Sequence, residues 1–295
     1  MATIGAELSI PAERPGFPGP ADLLARREQL AAADQAGYFR SDPPARVETL
    51  GGIAVHRWAP PSPPRAALLH FHGGGFRQGS AAMMGPFAAA VAERCQVEVI
   101  CPDYRLAPEF PFPAALNDAR RVLAALRAAG GGPLIISGDS AGGALAAGLT
   151  ALCVAEGATP LGLVLLSPWL DLTVSDPCYE ANAATDPMFS RTSAQQATAL
   201  YLQGIDPLQP LASPLFAALE GFPPTLLSIG AGEVLAEDGR RFHAALRKAG
   251  VQAELSAIAG MEHVAVTRGR SLVGASETFA TVAAFIDGLT NGVAG

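Results

Sequence analysis

Two kinds of apolar segment alternate along the chain from about residue 47 onward. Residues 47–58 alternate in polarity around Gly51-Gly52, which predicts a β-hairpin. Short apolar runs, typical of buried strands, lie at 66–71, 97–101, 134–136, 161–166, 225–229 and 253–258. Longer segments with apolar residues at helical spacing lie at 85–94, 113–129, 141–156, 235–249 and 271–289. This alternation predicts an α/β fold with a mainly parallel central sheet and helices on both faces.

Two segments depart from the alternation. Residues 1–20 are rich in Pro and Gly, and 21–37 follow with apolar residues at helical spacing between charges. Residues 173–212 have mixed polarity and interrupt the succession of strands and helices. We therefore expect one domain over the whole chain, with a small helical cap made of two segments, about 1–45 and about 173–212.

Ser140 lies where the pattern changes sharply from strand to helix. It stands in the stretch Gly138-Asp139-Ser140-Ala141-Gly142, after one apolar run and before a helical pattern of small residues. A serine on such a turn has its hydroxyl pushed out above the end of a sheet, and the flanking glycines avoid collisions with neighbouring backbone. The G-x-S-x-G pattern alone is weak in a chain with 32 glycines. In this context it predicts a nucleophilic serine.

Three motifs carry a resemblance to a known family. In chain order they are His72-Gly73-Gly74-Gly75-Phe76, Asp103-Tyr104-Arg105-Leu106-Ala107-Pro108-Glu109 and Gly138-Asp139-Ser140-Ala141-Gly142-Gly143. With them the chain resembles the hormone-sensitive-lipase-like family of bacterial carboxylesterases, in its GDSAG branch. The resemblance runs from about residue 47 to the C-terminus; the first 45 residues match only loosely, and 173–212 is a variable region. It implies an α/β-hydrolase fold with a small cap, acting on carboxylic esters.

A serine hydroxyl is a weak nucleophile at neutral pH and needs an adjacent base that a carboxylate orients. In α/β-hydrolases the acid and then the histidine follow the serine along the chain. Of the five histidines, only His243 and His263 follow Ser140. His243 falls inside a predicted helix, whereas His263 follows the last strand in a G-x-x-H pattern that the family also has. We expect His263 to be the general base.

The acid is expected in the loop after the strand at 225–229. The family usually has D-P-L-x-D-E-G there, and this chain reads Glu233-Val234-Leu235-Ala236-Glu237-Asp238-Gly239. The match without a gap places Glu233 at the position of the acid, although the family's Asp and Pro are both missing. Asp238 is the alternative acid, and its competing interpretation is a carboxylate in the first turn of a helix.

The resemblance also implies which groups would stabilise the oxyanion of a tetrahedral intermediate. They are the backbone N–H groups of Gly74, Gly75 and Ala141. Consecutive glycines let the loop at 73–75 approach a substrate closely, and Ala141 directly follows the serine. The substrate pocket is expected to be lined by large side chains of the cap and of the loops at the sheet edge. The candidates are Phe17, Phe76, Met84, Met188, Phe189, Tyr201, Leu202 and Val264.

Composition narrows the partners and the location. The net charge of −7 argues against nucleic acid or an anionic membrane as a partner. The start of the chain lacks a basic region followed by an apolar one, and the four cysteines form no C-x-x-C pair, so we expect a cytoplasmic protein. No spacing typical of a metal or phosphate site occurs, and the expected chemistry needs no metal and no cofactor.

These observations favour a serine carboxylesterase that hydrolyses short- to medium-chain esters through an acyl-enzyme. A lactone hydrolase with the same triad is an alternative that the sequence barely separates from it. A non-catalytic small-molecule receptor on the same scaffold is a third possibility, which the presence of His263 disfavours. The partner would be a small ester; a homodimer is common in the branch, but the residues leave the oligomeric state open.

Overall fold

The computed structural model describes residues 8–291 as an eight-stranded sheet covered by helices. The strands are β1 (Arg46–Leu50), β2 (Ile53–Trp58), β3 (Ala67–Phe71), β4 (Glu98–Pro102), β5 (Leu134–Asp139), β6 (Gly162–Leu166), β7 (Thr225–Gly230) and β8 (Ala253–Ile258). The α-helices are α1 (Ala21–Gln35), α2 (Gly85–Cys95), α3 (Ala114–Ala128), α4 (Ala141–Ala155), α5 (Cys178–Ala181), α6 (Arg191–Leu202), α7 (Ala236–Lys248), α8 (Ala265–Arg268) and α9 (Ala275–Asn291). Short 3-10 helices cover Ala81–Met84 and Pro214–Phe216.

The strand order is β1-β2-β4-β3-β5-β6-β7-β8. The predicted hairpin β1–β2 pairs antiparallel, and β2 also runs antiparallel to β4. The six strands in the order β4-β3-β5-β6-β7-β8 run parallel to one another. The predicted fold class, an α/β-hydrolase fold with a mainly parallel sheet and helices on both faces, is confirmed.

The parallel strands end almost level with one another, which collects their following loops at one edge of the sheet. Phe71 at the end of β3 pairs with Gly138 of β5, and Asp139 pairs with Leu166 at the end of β6. At the far side, Gly230 of β7 pairs with Ile258 of β8. The chain therefore brings the loops that follow the parallel strands together at this carboxyl edge, where open α/β sheets bind ligands.

The strands are buried on both faces, which explains their nearly continuous apolar runs. Alternate residues of a strand contribute to separate clusters: Leu69 packs with α3 and α4, whereas Leu68 packs with α2 and α9. Helix α4 is apolar all round, because it is enclosed by the sheet, α3 and the segment after β6. This enclosure fixes the end of α4 that follows Ser140.

Segments of the predicted cap contact the carboxyl edge; residues 1–7 of the first segment lie outside the described part of the chain. In α1, Arg27 donates to the backbone carbonyls of Arg77 and Ala107 and pairs with Glu109. In α6, the ring of Tyr201 packs against this edge of the sheet. The division of the chain into one domain with a two-part cap stays a prediction.

Within residues 8–291, none of the helices combines the length and the apolar character needed to cross a bilayer. The four cysteines are unpaired, and three of them are buried.

Candidate active site

The turn between β5 and α4 holds Ser140 in a conformation that few residues adopt. Its φ of 53° and ψ of −122° are outside the common regions for a side chain with a Cβ. The glycines around it are required by space, because a Cβ at Gly138 would lie 2.1 Å from the carbonyl oxygen of Gly142. A Cβ at Gly142 would lie 2.0 Å from the carbonyl oxygen of Phe71. Close backbone packing thus aims the Ser140 hydroxyl over the sheet edge.

The structure brings Ser140, His263 and Glu233 into one chain of hydrogen bonds. The Ser140 Oγ lies 2.9 Å from His263 Nε2, and His263 Nδ1 lies 2.8 Å from Glu233 Oε2. All three side chains are buried. A carboxylate only accepts hydrogen bonds, so Nδ1 carries the proton and the lone pair of Nε2 faces the serine. This arrangement can remove a proton from the Ser140 hydroxyl.

The second oxygen of Glu233 is held by groups that we had not singled out in the sequence. Glu233 Oε1 accepts the hydroxyl proton of Ser167 at 2.7 Å and the N–H of Gly230. The Ser167 Oγ also accepts the N–H of Val264 at 3.2 Å, next to His263. A signal for Ser167 was present, because it directly follows a buried strand at the carboxyl edge. The hydroxyl links the loops that carry the acid and the histidine.

The environment of His263 changes its pKa in two opposed ways. Burial disfavours the imidazolium and by itself lowers the pKa. The hydrogen bond and the negative charge of Glu233 act against it, and together they raise the pKa of His263 above its ordinary value of 6.5. The carboxylate therefore makes the imidazole a stronger base than an isolated buried histidine.

Asp238, the alternative acid, does not contact His263. It lies in the first turn of α7, as expected, but is only 2% exposed. Its Oδ2 accepts the N–H groups of Leu170 and Asp171 at 2.7 and 2.9 Å. Burial raises the pKa of Asp238 to about 7, despite these hydrogen bonds. Asp238 therefore anchors the segment after β6, while Glu233 is the carboxylate that contacts the histidine.

The glycine loop after β3 presents free N–H groups beside Ser140. Within residues 8–291, the N–H groups of Gly74, Gly75 and Ala141 donate to no protein acceptor. Gly74 has a φ of 115°, and a Cβ there would lie 2.0 Å from the carbonyl oxygen of Gln78, so only glycine fits. Unpaired N–H groups near a nucleophile can stabilise an oxyanion.

Buried polar side chains hold this loop in place. Asp139 accepts the N–H of Gly73 at 3.1 Å and contacts His70 Nε2 at 3.2 Å. His72 donates from Nδ1 to the Gly73 carbonyl at 2.7 Å, and its ring stacks on Tyr104 at 4.3 Å. Burial lowers the pKa of His72, which keeps the ring neutral. These contacts fix the glycine loop relative to Ser140.

A row of aromatic rings leads from the cap segment to the histidine. Phe76 and Tyr201 stack with centroids 3.8 Å apart, and Trp169 lies 6.1 Å from Phe76. Phe189 is 5.4 Å from Trp169 and stacks nearly parallel to His263 at 6.1 Å. Trp169 was not among the expected pocket residues. The row gives the site an apolar wall.

Five of the expected pocket residues lie at this end of the molecule. Phe76, Phe189 and Tyr201 form the row of rings, Leu202 is buried beside Tyr201, and Val264 follows His263.

The other three expected pocket residues do not belong to this row of rings. Phe17 is 47% exposed and lines an open surface groove with Arg105 and Phe110. Met84 packs with Phe87 in the apolar cluster on the α2 face of the sheet, away from Phe76. Met188 is 46% exposed on a turn before α6. Their apolar character suggested the pocket, but apolar side chains also fill cores, and apolar atoms make up much of a protein's surface.

Comparisons with known proteins agree with this geometry. Residues 68–267 match a protein family with the alpha/beta hydrolase fold. An esterase of Acinetobacter venetianus is 38% identical over 198 residues, which are 66% of this chain and 65% of that protein. An acetyl-hydrolase of Streptomyces hygroscopicus is 34% identical over 242 residues, or 81% of each chain.

Solved structures give the same result over more of the chain. The esterase EstE5, from a crystal soaked with p-nitrophenyl butyrate, has a TM-score of 0.85 at 32% identity and covers 95% of each chain. An esterase of the bacterial hormone-sensitive lipase family has a TM-score of 0.82 at 30% identity, over 92% of this chain and 100% of that one. This chain belongs to the alpha/beta-hydrolase fold family, in its branch of hormone-sensitive-lipase-like carboxylic ester hydrolases.

Proposed function

We propose that this protein hydrolyses carboxylic esters through an acyl-enzyme, with Ser140 as nucleophile, His263 as general base and acid, and Glu233 as the orienting carboxylate. The observation that carries the proposal is the continuous hydrogen-bond chain from Ser140 Oγ through His263 to Glu233. Similarity to enzymes named esterases and acetyl-hydrolases supports the same class of reaction.

In the first half of the reaction, Ser140 Oγ attacks the ester carbonyl carbon and gives its proton to His263 Nε2. The carbonyl oxygen becomes an oxyanion, which the N–H groups of Gly74, Gly75 and Ala141 stabilise. His263, now an imidazolium, gives the proton to the leaving alkoxide as the ester bond breaks. The alcohol departs and the acyl group stays on Ser140.

In the second half, His263 Nε2 takes a proton from water, and the hydroxide attacks the acyl carbon. The second oxyanion uses the same N–H groups, and collapse returns the proton to Ser140 as the acid leaves. In both halves each oxygen of Glu233 accepts a hydrogen bond, and the carboxylate stabilises the imidazolium.

The alternatives differ in substrate or in turnover. A lactone hydrolase would use the same steps with a cyclic ester, and we keep it as a variant of the same proposal. A receptor would not need a histidine within hydrogen-bond distance of a serine on a strained turn, and both are present here. The geometry therefore favours an enzyme.

The proposed substrates are short- to medium-chain esters. The stacked Phe76 and Tyr201 are both almost fully buried, and together with Trp169 they occupy the space between α6 and the glycine loop. We expect kcat/KM to be highest for acyl chains of about two to eight carbons among p-nitrophenyl esters, because large rings restrict a pocket's length. A panel of lactones, assayed under the same conditions, tests the cyclic-ester alternative. Preference for emulsified long-chain triglycerides would contradict this part of the proposal.

The nucleophile is tested by Ser140→Ala. We expect kcat to fall by about three to six orders of magnitude with the thermal melting temperature preserved, because the triad acts as a unit. A fluorophosphonate should label Ser140, with the site identified by peptide mass spectrometry. Ser276→Ala, at an exposed serine in the first turn of α9, is the matched control and should keep full activity. Retained turnover in Ser140→Ala would refute the mechanism.

We also propose that the described part of 1–45, together with 173–212, forms a cap over this site. A cytoplasmic location and a homodimer stay predictions from the sequence.

A further inference from the structure

One buried carboxylate that the mechanism does not use joins the cap segment to the loop of the acid. Asp186 lies between α5 and α6 and is 7% exposed. Its Oδ2 accepts the N–H of Val234 at 2.9 Å. Its Oδ1 accepts the N–H groups of Met188 and Phe189 at 2.9 and 3.0 Å. One oxygen of the carboxylate thus binds the loop that carries Glu233, and the other binds the turn that precedes α6.

The loop that carries Glu233 is held at successive peptide units, 232–234, by side chains of the segment 182–186. Asn182 Nδ2 donates to the carbonyl of Glu233 at 2.7 Å, and Thr185 Oγ1 donates to the carbonyl of Gly232 at 2.7 Å. With the bond from Asp186 to Val234, the backbone on both sides of the Glu233 side chain is fixed. A side chain whose backbone is pinned on both sides loses little entropy when its carboxylate is oriented.

The other side of Asp186 reaches the histidine. The N–H of Phe189 is fixed by Asp186 Oδ1, and the Phe189 ring lies nearly parallel to His263, with an interplanar angle of 10°. The same carboxylate therefore places the acid on one side of the imidazole and an aromatic ring on another.

We propose that Asp186 is a positioning residue for the ester hydrolysis proposed above, holding Glu233 and Phe189 in register with His263. The inference rests on that proposed function, and it assigns to the segment 182–189 a part in catalysis besides enclosing substrate. Residues that orient a reacting group through one intermediate contact commonly change activity about 10- to 100-fold when mutated.

The pH profile distinguishes positioning from a general structural role. The carboxylates that act on the His263 ring are Glu233, Asp186 and Asp139, and Arg268 contacts the His263 carbonyl at 3.3 Å. All three carboxylates favour the imidazolium. Removing the charge of Asp186 therefore lowers the pKa of His263 and moves the acid limb of kcat/KM to lower pH.

The central experiment is Asp186→Asn in the full chain, assayed with p-nitrophenyl acetate from pH 5 to 9. Asn has one carbonyl oxygen and one NH₂ group, and the NH₂ group cannot accept a hydrogen bond. The variant therefore loses either the bond from Val234 or the bonds from Met188 and Phe189. We expect kcat to fall about 10- to 100-fold with a much smaller change in KM, and the acid limb to move to lower pH. A change in the fraction of folded protein would lower kcat without moving that limb.

Two further variants separate geometry from charge. Asn182→Ala combined with Thr185→Val removes neutral contacts to the acid loop, so kcat should fall severalfold while the acid limb stays in place. Asp206→Asn is the matched control, since Asp206 also accepts a nearby N–H, that of Leu208 at 2.9 Å, but is exposed. It should behave as the wild type.

The outcomes discriminate between the two proposals. Ser140→Ala, measured in the same series, reports on the proposed function itself. If Ser140→Ala is inactive while Asp186→Asn matches Asp206→Asn in kcat and acid limb, only the positioning role is overturned. If Asp186→Asn yields no folded protein, unchanged kcat in the Asn182→Ala, Thr185→Val variant overturns it.

Discussion

The turn that carries Ser140, residues 138–142, and the loop that carries Glu233, residues 230–235, lie at the same sheet edge, but different forces position them. Ser140 is placed by backbone contacts of Gly138 and Gly142 with adjacent chain, where no side chain could fit. Glu233 is placed by side-chain hydrogen bonds that reach it from Ser167 and from the segment 182–186. One region depends on steric exclusion and the other on a polar network.

The difference explains why the two regions tolerate different changes. A hydrogen-bond network can be rebuilt around another carboxylate, so a Glu can stand where the family usually has Asp. A contact of 2.0 Å between a would-be Cβ and a carbonyl oxygen leaves no such freedom. We expect substitutions in the network to change rates while the fold persists, and substitutions at the glycines to damage both.

Glu233→Gln should break the network with the largest effect on rate. The amide favours the wrong tautomer of His263, and kcat should fall by up to about four orders of magnitude while the fold persists. In the wild type, protonated His263 cannot accept a proton, so kcat/KM falls as the pH drops through a pKa that lies above the ordinary 6.5. Loss of the Glu233 charge lowers that pKa, so the remaining activity should have its acid limb at lower pH. Initial-rate assays across pH measure both the fall in kcat and the position of the acid limb.

Glu233→Asp is the companion variant for that experiment. The carboxylate is kept but withdrawn by one methylene, so partial activity should remain. Full activity in Glu233→Gln with loss in Asp238→Asn would contradict the assignment of the acid.

Gly142→Ala should break the steric region. The added methyl group meets the Phe71 carbonyl, and the forced shift should cost about 1–3 kcal/mol or more of unfolding free energy, with kcat falling as Ser140 moves. Urea unfolding and kcat are measured together. Gly288→Ala is the control: Gly288 lies in α9 with nothing within 4 Å of the new Cβ, so stability should rise slightly. Equal behaviour of the two variants would contradict the steric account.

Asp238→Asn should have the smallest effect on kcat and sharpen the contrast between the two acids. The folded-state pKa of about 7, against an ordinary 3.8, means that the folded protein holds this proton more tightly than the unfolded chain. The stability that Asp238 contributes is therefore present below about pH 4 and is lost as the pH rises through about 7. Asn does not titrate, so the unfolding free energy of the Asn variant lacks this dependence on pH.

The measurement is urea unfolding of both proteins at pH 5 and pH 8. The Asn variant should gain on the wild type at the higher pH, by up to about 1.4 kcal/mol for each pH unit of the titration window. A constant difference would show that Asp238 stays ionised in both states.

Local sequence patterns predicted the helices and strands well, but beyond the hairpin they did not predict which strands lie side by side in the sheet. Strand β8 has the predicted bounds, because an apolar run between polar turns is a local signal. The last helix was predicted from residue 271 but begins at Ala275, since Gly274 adopts a φ of 77° and breaks the pattern. The placement of β3 between β4 and β5 has no local signature, because it depends on contacts between distant segments.

The site divides in the same way. Ser140 and His263 stood out because a turn and a strand end impose recognisable spacing, and their proposed roles stay predictions until the variants are measured. Ser167 had only the weak signal of directly following a strand, and Asp186 had none, since it resembles an ordinary loop residue until folding brings it to the loop of Glu233. Phe17 and Met84 show the converse, because apolar character alone does not tell which surface a side chain meets.

The hydroxyl of Ser167 has a consequence for how the site comes apart. It donates to Glu233 after β7 and accepts from Val264 after β8, while itself following β6. The ends of three neighbouring strands are thereby closed into one circuit of hydrogen bonds, and the loops cannot separate one at a time without stranding buried polar groups. We therefore expect local unfolding at this edge to be cooperative, with the amides of Gly230 and Val264 becoming accessible to hydrogen exchange in a single opening event.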